Sequence, residues 1–152
     1  MKRYITCLIL LISSMAYSAG TVTVTTKTLT NESDIRTITF TCTADAADGS
    51  FPSTALTTEQ ALYVTGYHCY LAVTDPGATA PTDDYDITIT DTYSCDVFGG
   101  TLLDRDTANS EQAAPAVGSA YGGRTCAGVW TLAITNNSVN SAVVTIVLYY
   151  SK

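Results

Sequence analysis

The stretch Ile35-Arg36-Thr37-Ile38-Thr39-Phe40-Thr41-Cys42-Thr43 changes polarity at every step from Thr37 onward. Ile38, Phe40 and Cys42 fall on one face; Thr37, Thr39, Thr41 and Thr43 fall on the other. A period of two is the signature of a β-strand with one buried and one wet face. Its Thr, Ile and Phe side chains are also those that fit a pleated surface. Upstream, residues 21–29 (Thr-Val-Thr-Val-Thr-Thr-Lys-Thr-Leu) read as a first strand, with 35–43 as the second.

Downstream the same composition continues, punctuated by Gly, Pro, Asn and Asp. Residues 44–58 read as a loop. A third strand is expected over 62–74, with Tyr67, Cys69, Leu71 and Val73 on its core face, ended by Asp75-Pro76-Gly77. A fourth covers 84–91, with Tyr85, Ile87 and Ile89 inward, and a short strand at 95–98 follows a turn at Thr92-Tyr93-Ser94. Residues 99–123 lack periodicity. A loop of that length in a compact domain is usually functional or mobile. A further strand spans 125–135, with Cys126, Trp130, Leu132 and Ile134 on one face, and Asn136-Asn137-Ser138 turns the chain. The closing strand, 142–150, is apolar on both faces, so it lies centrally or its second face meets a partner. No stretch shows a helical period. The expected fold is all-β: a single-domain antiparallel β-sandwich, immunoglobulin-like or jelly-roll-like, of about seven to eight strands over residues 20–152.

Residues 1–19 read differently. Met1-Lys2-Arg3 supplies a charged start, 7–12 (Cys-Leu-Ile-Leu-Leu-Ile) an apolar run, and small residues follow, with Ala16 and Ser18 suited to positions −3 and −1 of a cut. This is the pattern of a secretory signal peptide. The apolar run falls short of the roughly 18–20 residues that span a bilayer. The expectation is an exported chain, periplasmic or extracellular, that is not an integral membrane protein. Cleavage removes Lys2 and Arg3, leaving five Lys and Arg against fourteen acids, a net charge of −9. That opposes binding to nucleic acid or anionic lipid and favours solubility.

Cys42, Cys69, Cys95 and Cys126 remain after cleavage. An even number in an exported chain reads as a disulfide framework with three connectivities open. The strand reading favours Cys42–Cys69 and Cys95–Cys126, the latter closing the long loop. A structural zinc is disfavoured: no Cys-x-x-Cys occurs, and His68 beside Cys69 on a strand points to the opposite face.

Chemistry-bearing residues are sparse. His68 is the only histidine, with no nucleophile placed to use it. Asp83, Asp84, Asp86 and Asp91 form one acidic cluster; Asp104, Asp106, Asn109 and Glu111 form a second. The second begins like a calcium loop, as Asp-x-Asp, but lacks the third acidic ligand and the glycine. Neither cofactor nor metal is expected, and the chain reads as non-enzymatic. Tyr63, His68 and Tyr70 are the candidate binding residues, for a protein or a surface glycan, since aromatic rings stack on sugars and anchor protein contacts. Asn31-Glu32-Ser33 and Asn136-Asn137-Ser138 match glycosylation acceptors.

Residues 74–91 (Thr-Asp-Pro-Gly-Ala-Thr-Ala-Pro-Thr-Asp-Asp-Tyr-Asp-Ile-Thr-Ile-Thr-Asp) resemble small uncharacterised proteins of tailed bacteriophages and prophages. The similarity continues at 104–112 (Asp-Arg-Asp-Thr-Ala-Asn-Ser-Glu-Gln), at 132–136 and in the closing strand. It implies a compact β domain associated with virions, decorating a head or tail, with no catalytic residues to carry over. The signal peptide and the four cysteines depart from that pattern.

Overall fold

The computed structural model describes residues 18–29 and 34–152. The secretory-signal reading of 1–19 therefore falls almost wholly outside the described residues, as does the acceptor at Asn31. The elements run β1 (Thr21–Thr28), β2 (Arg36–Thr43), β3 (Thr54–Ala55), α1 (Thr58–Val64), β4 (His68–Pro76), β5 (Asp86–Thr90), β6 (Glu111–Ala113), β7 (Ala116–Val117), β8 (Ala120–Tyr121), β9 (Arg124–Thr125), β10 (Thr131–Thr135) and β11 (Val143–Ser151). The fold is all-β and sandwich-like, with eleven strands among the described residues rather than seven or eight. The excess comes from two- and three-residue strands that no periodicity can announce.

The larger sheet has the order β1-β2-β11-β4-β6, with β9 beside β6's neighbour β4; the smaller is β3-β10-β5. Both are antiparallel throughout. Ile38, Phe40, Cys42, Val144, Ile146 and Leu148 of the large sheet are buried against Ile87, Ile89, Leu132 and Ile134 of the small one in a single core. Trp130 and Phe98 fill the gap between the sheets and are fully buried. β11 is central, flanked by β2 and β4, with one face buried and the other half-buried.

Two differences from the sequence reading have physical causes. The third expected strand does not start at residue 62, because 58–64 form α1. Thr57 caps it: its Oγ1 accepts from the Gln60 amide at 3.2 Å while Gln60 Oε1 accepts from the Thr57 amide at 2.8 Å. This reciprocal box satisfies two donors that a helix start otherwise leaves orphaned. Ala61 and Val64 turn into the core. Secondly, β4 changes phase. Tyr149 pairs with Leu71 but Tyr150 pairs with Cys69, so Tyr70 is an extra residue, a β-bulge. Before it Cys69 faces the core; after it Ala72 and Thr74 do. Leu71 and Val73, expected inside, lie half-buried on the outer face.

The segment 99–123 is ordered by short strands. β6 pairs with β4, and β7 and β8 form a hairpin with a Gly118-Ser119 turn. Gly118 has φ +59°, the left-handed conformation that tight hairpin turns require. Gly99, also at φ +59°, lies so close to the Ala116 carbonyl that any side chain there would collide with it.

Candidate functional site

The cysteines do not form the expected framework. All four described cysteines are free thiols. Cys42 sits opposite Val144 on β11, whereas Cys69 sits opposite Tyr150. Six residues of strand separate those positions, about 20 Å. The Cys42–Cys69 pairing is therefore ruled out by register. Cys95 is exposed in the turn at 91–95 while Cys126 is buried, so the Cys95–Cys126 bridge is not formed either. Burial raises the Cys42 thiol from 9.0 to about 12 and the Cys126 thiol to about 11; Cys69 is pushed up further. Thiolate reactivity is suppressed at all three.

The candidate binding residues divide between the two sides of the large sheet. His68 and Tyr70 lie on its outer face. His68 Nδ1 is 3.1 Å from the Thr125 hydroxyl, and the Tyr70 ring packs 6.4 Å from that of Tyr149, tilted by 53°. Tyr63 belongs to α1 on the inner side. Its hydroxyl bonds Thr28 Oγ1 at 2.7 Å, and its ring lies 4.7 Å from the Arg36 guanidinium. Arg36 also lies 4.1 Å from the Tyr67 ring and donates to the Tyr63 carbonyl. This stack seals the end of the sandwich, and Tyr63 serves it rather than a shared surface with Tyr70.

Most of the clustered carboxylates are engaged by loop amides or neighbouring side chains. Asp91 Oδ1 accepts from the amides of Tyr93 and Cys95 at 2.8 and 3.0 Å. Asp86 holds the Asp104 amide at 3.0 Å and the Asn136 side chain. Asp106 accepts from the Ala108 amide and the Asn109 side chain, which hold its carboxyl below the usual range. Glu111 accepts from the Asp106 amide at 2.8 Å and faces Arg105 at 3.5 Å. These bonds fold the loops between strands. No group of three metal-ligating side chains converges among the described residues.

Two concavities stand out among the described residues. One, about 520 Å³, opens between the turn at 91–95 and β9, with Tyr93, Cys95, Arg124 and Trp130 among its lining residues. Arg124 Nε donates to the Val97 carbonyl at 3.2 Å, which fixes one wall. The other, about 380 Å³, lies beside β6 and includes Leu103, Arg105, Gln112 and Tyr121. The second adjoins the aperiodic segment 99–123. Here Leu103, Val117 and Tyr121 are exposed, Val117 at 59% and Tyr121 at 75%. Val117 and Tyr121 were not singled out from the sequence. Their signal was the Gly-Ser pair between Ala-Val and Ala-Tyr, a two-residue hairpin turn.

Among the described residues, no helix is long and apolar enough to cross a membrane. The chain matches no protein-family model, no curated protein and no solved structure.

Proposed function

We propose that this chain is a non-enzymatic, exported structural or interaction domain, phage-related and virion-associated or displayed at the cell exterior. It meets a protein partner through residues 99–123. One observation carries this reading: Leu103 and Tyr121 are exposed around one concavity, with Val117 exposed on the other face of the β7–β8 hairpin, on a segment anchored to the sandwich through β6 and through the Ala116 amide, which donates to the Phe98 carbonyl at 3.1 Å. Exposed aromatic and aliphatic side chains on a rigid mount are what protein contacts use as anchors. The virion setting rests on the resemblance of residues 74–91 and 104–112 to phage proteins, a pattern of turns and strands in the sequence.

The test is a density-gradient separation of a producing culture, each fraction probed for the chain. Co-sedimentation with phage particles, lost in a Val117→Asp/Tyr121→Ala variant that remains folded, supports the reading. Recovery only as free protein in the periplasm or medium overturns the virion role.

A second reading, a carbohydrate- or surface-binding module, draws on the outer face, where Tyr70, Tyr149 and His68 lie near one another. Glycan-array binding that is lost in Tyr70→Ala and retained in Tyr121→Ala would favour it.

A further inference from the structure

Cys69 and Cys126 face the same side of neighbouring strands, one diagonal step apart. In the β4–β9 ladder Cys69 lies opposite Arg124 and His68 opposite Thr125. The ladder extends one residue further, since the Cys126 amide donates to the Tyr67 carbonyl at 2.8 Å. Cys126 is therefore offset from Cys69's direct partner by two residues and shares its face. Both side chains point into the core, at 0% and 1% exposure.

Diagonal neighbours across a strand pair are roughly 7–8 Å apart. Disulfides span roughly 4.4–6.8 Å. The missing approach is roughly 1–2 Å, and the segment carrying Cys126 is built to supply it. β9 is only two residues long. Gly122 and Gly123 precede it and Gly128 follows, and a side chain at Gly122 would meet nothing within 4 Å. The other cysteines have no such neighbour. Cys42 is about 20 Å along the sheet from Cys69, and Cys95 stands outside the core with its Sγ turned toward the Tyr93 carbonyl.

We infer that Cys69 and Cys126 are the pair this fold cross-links under oxidising conditions, fastening β9, and the cleft wall that Arg124 and Thr125 form, onto β4. The oxidant is a small-molecule disulfide such as oxidised glutathione. One protein thiolate displaces one sulfur of the donor, giving a mixed disulfide and one donor thiol. The second protein thiolate then displaces the other donor sulfur. One S–S bond forms in the protein, one breaks in the donor, and the two protons end on the two donor thiols. Because burial holds both thiols neutral, the bond closes while the chain folds, before the core excludes the donor.

The experiment refolds the reduced full chain in a glutathione redox buffer, blocks remaining thiols under denaturing conditions, and maps peptides without reduction. A linked Cys69–Cys126 peptide is expected, with Cys42 and Cys95 both blocked. Emission from Trp130, the only tryptophan, should fall on oxidation, because its ring lies 5.9 Å from Tyr150, which borders both thiols. Cys95→Ala should retain the linked peptide; Cys126→Ala and Cys69→Ala should each lose it. Linkage of Cys126 to Cys95 or to Cys42, or blocking of all four cysteines after refolding, overturns the inference, and the Cys95→Ala result decides it even where a core variant fails to fold.

Discussion

The ring of Trp130 packs 5.9 Å from that of Tyr150, both fully buried, and the Tyr150 hydroxyl has no hydrogen-bond partner among the described residues. Burial raises its ionisation well above the usual range. A neutral hydroxyl removed from water with nothing to bond costs on the order of 1–3 kcal/mol. Tyr150→Phe deletes only that oxygen and keeps the packing. The variant should equal or exceed the parent in stability, by up to about 1 kcal/mol. Urea denaturation of the two proteins checks it; a loss greater than about 1 kcal/mol would mean that the hydroxyl has a partner.

Arg36 should matter more than an ordinary half-buried arginine. Its guanidinium lies between the Tyr63 and Tyr67 rings, at 4.7 and 4.1 Å, and donates to the Tyr63 carbonyl that ends α1. Stacking on two rings and a charge-assisted bond together predict a loss of about 2 kcal/mol for Arg36→Ala. Arg36→Lys keeps the charge but not the planar fork, and should recover less than half of the loss. Thermal melts of the three proteins provide the ranking, and an Arg36→Lys melt equal to the parent's would show that the charge alone, not the planar fork, accounts for the residue.

The buried thiols predict how the reduced protein responds to alkali. The Cys42 thiol rises from 9.0 to about 12 on folding, so the folded state holds its proton where the unfolded state releases it. Stability from this group is complete below pH 9.0 and is lost as the pH climbs toward 12. Cys126 acts likewise between 9.0 and about 11, and the tyrosines add to the loss above pH 10.0. Cys42→Ala removes one contribution and leaves the others. It should be less stable than the parent at pH 8, and the gap should narrow by about 2 kcal/mol between pH 9 and pH 11. Denaturant midpoints across that range test the sign; a gap that is constant with pH would place Cys42 in water.

These side chains also mark where sequence pattern is sufficient and where it is not. The alternation of residues 35–43 and 84–91 placed Ile38, Phe40, Cys42, Tyr85, Ile87 and Ile89 inside, because one strand's own side chains determine its faces. The bulge at Tyr70 was illegible for the opposite reason. His68-Cys69-Tyr70-Leu71-Ala72-Val73 carries no breaker, and only pairing with Tyr149 and Tyr150 of β11 inserts the extra residue. The cysteine pairing failed through the same dependence, since register across β2, β11 and β4 decides which thiols approach. α1 is seven residues long, too short to display a helical period, yet its Thr57-x-x-Gln60 box stood in the sequence as a readable start. Thr57→Ala should cost about 1 kcal/mol, measured by chemical denaturation.

The last prediction concerns the hairpin. Gly99 has φ +59° and lies against the Ala116 carbonyl, where β7 begins. Gly99→Ala adds a side chain at a conformation that disfavours one and drives it into that backbone. Strain at such a position costs on the order of 1–3 kcal/mol, and the cheapest relief is for the hairpin to leave its mount, breaking the Ala116-to-Phe98 bond. The variant should therefore expose the hairpin to limited proteolysis between Gly118 and Gly123 while the core melts cooperatively. It should also weaken partner capture although Val117 and Tyr121 are unchanged, because anchors on a loosened mount must be ordered again on binding. Gly118→Ala strains the same hairpin at its tip, where a side chain meets nothing within 4 Å. It tests turn strain alone and should leave the mount intact. If Gly99→Ala resists proteolysis as well as Gly118→Ala does, the segment is not held through Ala116.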